Sequence, residues 1–177
     1  MNLPNKLTIG RVIAVPVFIA AYYMQWYMAA FIIFIAASFT DYLDGYLARK
    51  YDLVSNFGKI MDPLADKVLV YSALCLMIPD LIAGWMMIII LAREFTVAGM
   101  RTVAASEGIV IAAGMSGKIK TVLQMVAVCL LLLVLALPAA TDLLWYLAQG
   151  FLWASLIMTV YSGVEYVWQN RQVFSMK

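Results

Sequence analysis

The sequence contains no histidine and only two cysteines among its 177 residues. The absence of histidine excludes Ser-His-Asp hydrolysis and histidine-ligated metal sites, and two cysteines are too few for a Cys₄ zinc or iron–sulfur site. Any metal ion in this protein must therefore be bound by oxygen ligands. Cys75 and Cys129 both lie within apolar runs, so we expect buried free thiols rather than a disulfide.

Charged residues are also scarce, because Asp, Glu, Lys and Arg make up 12% of the chain whereas 66% of it is hydrophobic. An ordinary soluble domain is about 45–50% apolar, and a single domain of this size cannot bury the excess. The composition therefore predicts an integral membrane protein. The net charge of +2 is small, and no basic run is interleaved with aromatic residues, so we expect no nucleic-acid partner.

Six segments are long and apolar enough to cross the hydrocarbon layer of a membrane, which takes about 20 residues. We place these spans at residues 8–23, 28–50, 57–78, 81–104, 116–137 and 142–169. A turn near Gln25 separates the first two, and Pro79 and Pro138 follow the third and fifth, since proline cannot continue a helix. The sequence shows no repeat or linker, so we expect one all-α membrane domain over residues 1–177.

The basic residues predict how these spans are oriented. All 12 Lys and Arg residues fall towards one side of the spans. The connections on the other side, near Gln25, at 79–84 and at 138–141, contain no Lys or Arg. By the positive-inside rule, both termini and every candidate reactive group are predicted to lie on the cytoplasmic side.

Four aspartates lie close to or inside the second and third spans, where acidic side chains are costly and usually functional. They are Asp41, Asp44, Asp62 and Asp66. Spacings of three and four residues place each pair on one helix face, and a short turn between the helices is expected to bring the pairs together. Four carboxylates in one place need cations, and hard oxygen ligands select Mg²⁺, Mn²⁺ or Ca²⁺. The alternative is carboxylates that extend to the membrane interface from helix ends, which is common for single charges.

These aspartates belong to a longer pattern with small residues at fixed places. The sequence is Asp41-Tyr-Leu-Asp44-Gly45-Tyr-Leu-Ala48-Arg49, then eight residues, then Gly58-Lys-Ile-Met-Asp62-Pro-Leu-Ala-Asp66. It resembles the signature D-x-x-D-G-x-x-A-R-x8-G-x-x-x-D-x-x-x-D of the CDP-alcohol phosphatidyltransferase family, and every defined position is filled. Small residues beside the aspartates leave room for a ligand, although simple helix packing explains each of them equally well.

The resemblance implies a six-helix membrane fold with a short N-terminal interfacial segment, frequently a homodimer. It also implies that the four aspartates hold two divalent cations, Mg²⁺ or Mn²⁺, against the pyrophosphate of a CDP-linked lipid, with Asp66 as the base proposed for the family. Gly45 and Ala48 fit the family's cytidine pocket, and Gly58 belongs to the same lipid-binding set. Arg49 either pairs with phosphate or holds a neighbouring aspartate.

The signature does not specify the acceptor alcohol. The basic residues of the fourth and fifth spans are the next evidence for its identity. Arg93 and Arg101 are about 80° apart around a helix and can face one pocket, whereas Lys118 and Lys120 point to nearly opposite faces. The alternative is that these residues anchor the helix ends to lipid phosphate. Glu94, beside Arg93, is most simply an ion partner. A cationic pocket suits an acceptor that itself carries a phosphate.

Further stretches resemble the bacterial branch of this family whose acceptor is sn-glycerol 3-phosphate. These stretches are residues 4–11, 62–69, 92–94 and 117–124, together with Arg101. The branch implies that Arg93, Arg101, Lys118 and Lys120 bind the acceptor phosphate, and that Thr8 and Arg11 lie near the donor headgroup.

We therefore expect an enzyme of a bacterial inner membrane that uses CDP-diacylglycerol and glycerol 3-phosphate and releases phosphatidylglycerol phosphate and CMP. Inositol phosphate is the alternative acceptor, because it also carries a phosphate. A divalent-cation transporter is the alternative from a different class of protein. The apolar non-cytoplasmic halves of the spans disfavour the transporter, since ion paths place polar groups near the midplane.

Overall fold

The computed structural model describes residues 3–50, 56–112, 114–137 and 142–172, with side-chain surroundings for residues 10–40, 64, 65 and from 67 onward within those ranges. Its regular structure there is helical, without a β-strand, which confirms the predicted all-α class. The helices are α1 (Leu3–Tyr23), α2 (Tyr27–Lys50), α3 (Asn56–Leu76), α4 (Gly84–Ser106), α5 (Met115–Ala136) and α6 (Asp142–Gln169).

Five of the six helices begin and end close to the predicted spans, but α1 does not. It begins at Leu3, so residues 3–7 form the first turns of the same helix. Pro4 lies in the first turn, where the N–H that proline lacks would have no partner within the helix anyway. The predicted interfacial segment therefore belongs to the same helix as the first span, and its place at the membrane interface stays a prediction.

Two helices, α5 and α6, are each long and apolar enough to cross a membrane. The apolar portions Gly10–Tyr23, Tyr27–Thr40 and Lys67–Leu76 are shorter. The structure thus has six helices and the character of a membrane protein, and six crossings stay a prediction.

The helices group into two compact units, one of Met1–Met77 with Val128–Trp145 and one of Ile78–Ala127 with Tyr146–Lys177. In the first unit, α1 contacts both α2 and α3. Phe18 of α1 and Phe34 of α2 are fully buried, with ring centroids 6.1 Å apart. Ala21 and Ala30 are buried as well and let the two backbones approach closely.

The predicted turn near Gln25 is confirmed, and it has the geometry of a Schellman helix end. The Trp26 N–H donates to the Ala21 carbonyl at 2.9 Å, and the Gln25 N–H donates to the Tyr22 carbonyl at 2.9 Å. Gln25 itself has a φ of 60°, in the left-handed region that favours glycine.

The end of α4 has the same two bonds with a glycine in the left-handed position. The Ile109 N–H donates to Ala104 at 2.8 Å and the Gly108 N–H donates to Ala105 at 3.1 Å, and Gly108 has a φ of 74°. The two helix ends therefore differ in the residue that carries the positive φ.

This difference predicts opposite effects of exchanging glycine and glutamine at the two positions. Gln25→Gly is expected to stabilise the fold and Gly108→Gln to destabilise it, each by about 1 kcal/mol, because only a residue with a Cβ is strained there. Thermal unfolding in detergent measures both changes. A Gln25→Gly variant that unfolds at a lower temperature than the parent protein would contradict the prediction.

In the second unit, α4 and α6 run parallel. Four contacts join α4 and the residues just before it to α6, and the residue numbers increase on both sides from one contact to the next. They are Leu81 with Gln149, Trp85 with Trp153, Arg93 with Gly163, and Arg101 with Tyr166. Because the connections on either side of α5 are short, α5 must run back in the opposite direction. This alternation is what successive membrane crossings require.

The two cysteines are free, but only one of them has a thiol shielded as the sequence predicts. Cys129 is partly buried, whereas Cys75 is exposed, so the expectation of a buried thiol at Cys75 is wrong. An apolar run does not distinguish the two faces of a membrane helix, since lipid tails are as apolar as a protein interior.

Candidate functional site

The backbone places the aspartates of the signature on two helices of the first unit. Asp41 and Asp44 lie in the last three turns of α2, and Asp62 and Asp66 lie in the first three turns of α3. Continuous helix at both places puts each pair on one face, and α2 contacts α3. The side chains of all four lie outside the described ones, so the meeting of the two pairs stays a prediction.

The other residues predicted to bind the CDP-lipid also lie in helices whose backbone is described. Gly45, Ala48 and Arg49 belong to the C-terminal part of α2, and Gly58 belongs to the first turn of α3. Thr8 lies in α1. Their surroundings lie outside the part of the chain whose side chains are described.

Arg11 of α1 lines a groove between α1 and α2. Its side chain is only 2% exposed, and the groove has a volume of about 380 Å³. Thr40, the residue before the first aspartate of the signature, lies at this groove too, and most of its remaining lining is apolar: Ile13, Ala14, Val17, Ile33, Ala36 and Ala37. The groove therefore combines a buried cationic residue with an apolar channel.

A carboxylate in the second unit joins two of the predicted acceptor-binding residues. Oε1 of Glu94 accepts hydrogen bonds from Nη1 of Arg93 at 2.9 Å and from Nζ of Lys120 at 2.7 Å. The three side chains are 12%, 13% and 4% exposed, respectively. The predicted pairing of Glu94 with Arg93 is confirmed, and the bond to Lys120, which connects α4 to α5, was not predicted.

The two lysines of α5 face different surroundings, as their spacing predicts. Lys120 is 3% exposed and bonded to Glu94, whereas Lys118 is exposed. The spacing alone leaves open which of the two lysines faces inward, and the structure assigns that orientation to Lys120.

Arg101 has different partners from Arg93. Its Nε donates to the hydroxyl of Tyr166 at 3.1 Å, and its guanidinium lies 5.5 Å from the centroid of the same ring. Eight residues along α4 separate the two arginines by about 12 Å. Both therefore lie against α6, but Arg101 does not share the Glu94 carboxylate.

Two glycines lie against the side chain of Arg93, and the sequence alone did not indicate this contact. A Cβ added at Gly163 of α6 would be 2.9 Å from Cγ of Arg93, and one added at Gly117 of α5 would be 3.1 Å from its Nη2. Ser155, Thr159 and Gly163 are small residues four positions apart on α6, and the first two are fully buried. That spacing is a signal of close helix packing, but it does not name the side chain that lies there.

The structure thus places two phased pairs of aspartates on adjacent helices of the first unit and a cluster of basic residues in the second unit. The chain belongs to the CDP-alcohol phosphatidyltransferase family, which it matches over residues 1–161. It is therefore a phosphatidyltransferase, and the resemblance found from the signature is confirmed.

Individual relatives match over nearly the whole chain. The protein is 44% identical to the CDP-diacylglycerol–glycerol-3-phosphate 3-phosphatidyltransferase of Bacillus subtilis, over 96% of this chain and 95% of the relative. It is 37% identical to the protein of the same name from Rickettsia felis, over 93% of each chain. It is 38% identical to a probable phosphatidylglycerophosphate synthase of Mycobacterium tuberculosis, over 94% of this chain and 80% of the relative.

Proposed function

We propose that this protein transfers the phosphatidyl group of CDP-diacylglycerol to sn-glycerol 3-phosphate, with release of phosphatidylglycerol phosphate and CMP. The observation that carries the proposal is the identity of 44%, over 96% of this chain, to a relative named for that reaction. The complete signature supports the donor, and the cluster of Arg93, Glu94 and Lys120 supports an acceptor with a phosphate.

The donor set of the signature fits two divalent cations. Four carboxylates on two helices that contact each other offer hard oxygen ligands, which Mg²⁺ and Mn²⁺ prefer. We therefore assign Mg²⁺ or Mn²⁺ to Asp41, Asp44, Asp62 and Asp66. When bound, such cations neutralise the diphosphate and stabilise the charge on the departing CMP.

The reaction itself needs a base and an in-line arrangement. The carboxylate of Asp66 takes the proton of the acceptor hydroxyl, whose oxygen bonds to the phosphorus that carries the diacylglycerol. The bond from that phosphorus to the oxygen of CMP breaks, and CMP leaves with the electron pair. Gly45, Ala48 and Gly58 leave space for the nucleotide, and Arg49 pairs with phosphate or orients an aspartate.

The groove between α1 and α2 supports a role for Arg11 on the donor side. A buried guanidinium beside an otherwise apolar channel suits a molecule with an anionic head and apolar tails. Thr8, one turn earlier in α1, belongs to the same proposed headgroup region.

The acceptor phosphate is assigned to Arg93 and Lys120. Arg93 and Lys120 bring two positive charges to this cluster, and Glu94 brings one negative charge. Within the described part of the chain, the buried Nε of Arg93 has no hydrogen-bond partner and can donate to a phosphate oxygen. Arg101, which is exposed and held by Tyr166, is a second candidate contact, and the exposed Lys118 is assigned to lipid headgroups.

We further propose one domain that crosses a bacterial inner membrane six times, with both termini and the active site cytoplasmic, and that acts as a homodimer. The parallel course of α4 and α6 supports the alternation of crossings, and the one-sided distribution of the 12 basic residues supports the orientation. The family resemblance supports the dimer.

A comparison of acceptors tests the proposed reaction. Purified protein in detergent with CDP-diacylglycerol and Mg²⁺ or Mn²⁺ is expected to release CMP when glycerol 3-phosphate is supplied. Inositol phosphate, inositol, serine and glycerol are each expected to give less than about a tenth of that rate, because a site built to bind a given polar group discriminates strongly against acceptors that lack it or misplace it. Faster release with inositol phosphate would assign the protein to the other acceptor and leave the donor chemistry intact.

A further inference from the structure

We infer that Glu94 and Gly163 are positioning residues, which hold Arg93 and Lys120 as one binding unit for the acceptor phosphate. This inference rests on the proposed function, because it concerns the acceptor side of that reaction. Neither residue needs to touch the substrate. Glu94 acts through its ion pairs, and Gly163 acts through the space that its missing side chain leaves.

Glu94 fixes two cations from different helices with a single oxygen. Its Oε1 lies 2.9 Å from Nη1 of Arg93 on α4 and 2.7 Å from Nζ of Lys120 on α5. A lysine has a flexible stem and an arginine has a planar set of donors, so a shared acceptor removes much of their freedom before any ligand binds. The cost of ordering the two side chains is thereby met in folding rather than in binding.

The carboxylate also makes the proximity of two buried cations tolerable. Arg93 and Lys120 are 13% and 4% exposed, and like charges with so little water around them repel strongly. A neutral residue at position 94 would remove the counter-charge that Arg93 and Lys120 share. The expected result is that the two side chains separate and no longer bind one phosphate together.

Gly163 fixes the other end of Arg93, close to the root of its side chain. A methyl group at Gly163 would lie 2.9 Å from Cγ of Arg93, which is closer than carbon atoms approach without displacement, and 3.8 Å from its Cβ, which is an ordinary contact. Cγ cannot move aside as easily as the guanidinium can, because it is one bond from Cβ. The glycine therefore determines the direction in which Arg93 leaves α4, and Gly117 leaves room for its Nη2.

The first test is Glu94→Gln, assayed by steady-state release of CMP. We expect the KM for glycerol 3-phosphate to rise at least tenfold, the kcat to stay within about threefold, and the KM for CDP-diacylglycerol to stay unchanged. Glu94→Asp keeps the charge and should recover part of the loss. An unchanged KM for glycerol 3-phosphate, or a fall in kcat alone, would overturn the role of Glu94.

A double variant shows whether Glu94 acts through its neighbours. In a background of Lys120→Gln, the further change Glu94→Gln should raise the KM for glycerol 3-phosphate much less than it does in the parent protein, since one partner of the bridge is already absent. Equal effects in both backgrounds would mean that Glu94 acts independently of Lys120, which contradicts the inference.

The second test compares the same substitution at two glycines of α6. Gly163→Ala is expected to raise the KM for glycerol 3-phosphate at least fivefold, whereas Gly150→Ala, where a Cβ meets nothing within 4 Å, should leave it within twofold. Both changes add one methyl to the same helix, so they share any gain in helix propensity. Equal KM values for the two variants would overturn the role of Gly163.

The design separates the inference from the proposed function. If the parent protein releases no CMP with glycerol 3-phosphate, the proposed function fails. If the parent protein uses glycerol 3-phosphate but the Glu94→Gln and Gly163→Ala variants have unchanged KM values, the inference fails alone. Size-exclusion profiles and thermal unfolding of each variant show whether a loss arises from misfolding, and in that event Glu94→Asp supplies the decisive KM.

Discussion

Asp62→Asn is expected to lower the rate of CMP release by at least about 10³-fold, while the variant folds and inserts as the parent protein does. The asparagine keeps the shape of the side chain but removes one negative charge from the proposed metal ligands. Metal ions supply several kcal/mol of transition-state stabilisation, and each 1.36 kcal/mol is about tenfold in rate. Release of CMP from CDP-diacylglycerol, measured at saturating glycerol 3-phosphate, gives the value.

Asp80→Asn is the matched control, because Asp80 is exposed and lies in a connection outside the signature. It should retain activity within about twofold. Removal of divalent cations by a chelator should abolish the activity of the parent protein, and Mg²⁺ or Mn²⁺ should restore it. An Asp62→Asn variant with undiminished CMP release would refute the metal assignment.

Lys120→Gln is expected to raise the KM for glycerol 3-phosphate by about 10- to 100-fold, since a hydrogen bond to a charged group contributes about 1.5–3 kcal/mol. The KM for CDP-diacylglycerol should not change. Both members of the Arg93–Glu94 pair are unchanged in this variant, so the change in KM measures the contribution of Lys120. Initial rates over a series of glycerol 3-phosphate concentrations measure it.

Lys118→Gln provides the comparison within the same turn of α5. This exposed residue is assigned to lipid headgroups, so its substitution should change the KM for glycerol 3-phosphate by less than about twofold. A larger effect at Lys118 than at Lys120 would show that the exposed lysine, and not the buried one, binds the acceptor.

The fold was largely predictable because its determinants are local in the sequence. The lengths of the apolar runs, the turn at Gln25 and the prolines after the third and fifth spans define six helices, and α6 begins and ends where the sequence placed it. The error at Cys75 occurred because the apolar run around it did not show which face of α3 meets lipid.

The parts of the candidate site that are local in the sequence were predictable, and the contacts between distant residues were not. The aspartate signature lies within 26 consecutive residues, so spacing alone identified it. The bond between Glu94 and Lys120 joins residues 26 positions apart on separate helices, and the contact of Gly163 with Arg93 joins residues 70 positions apart. Such contacts depend on the relative rotation and height of packed helices, which no spacing within one helix determines.

The most direct test of the proposed reaction uses glycerol 3-phosphate with ¹⁸O in its hydroxyl groups, together with CDP-diacylglycerol and purified protein. Mass spectrometry of the products should find CMP and phosphatidylglycerol phosphate in equal amounts, with the ¹⁸O retained in the lipid and none in CMP, because the acceptor oxygen forms the new bond to phosphorus. Release of CMP without a labelled lipid product would contradict the proposed transfer.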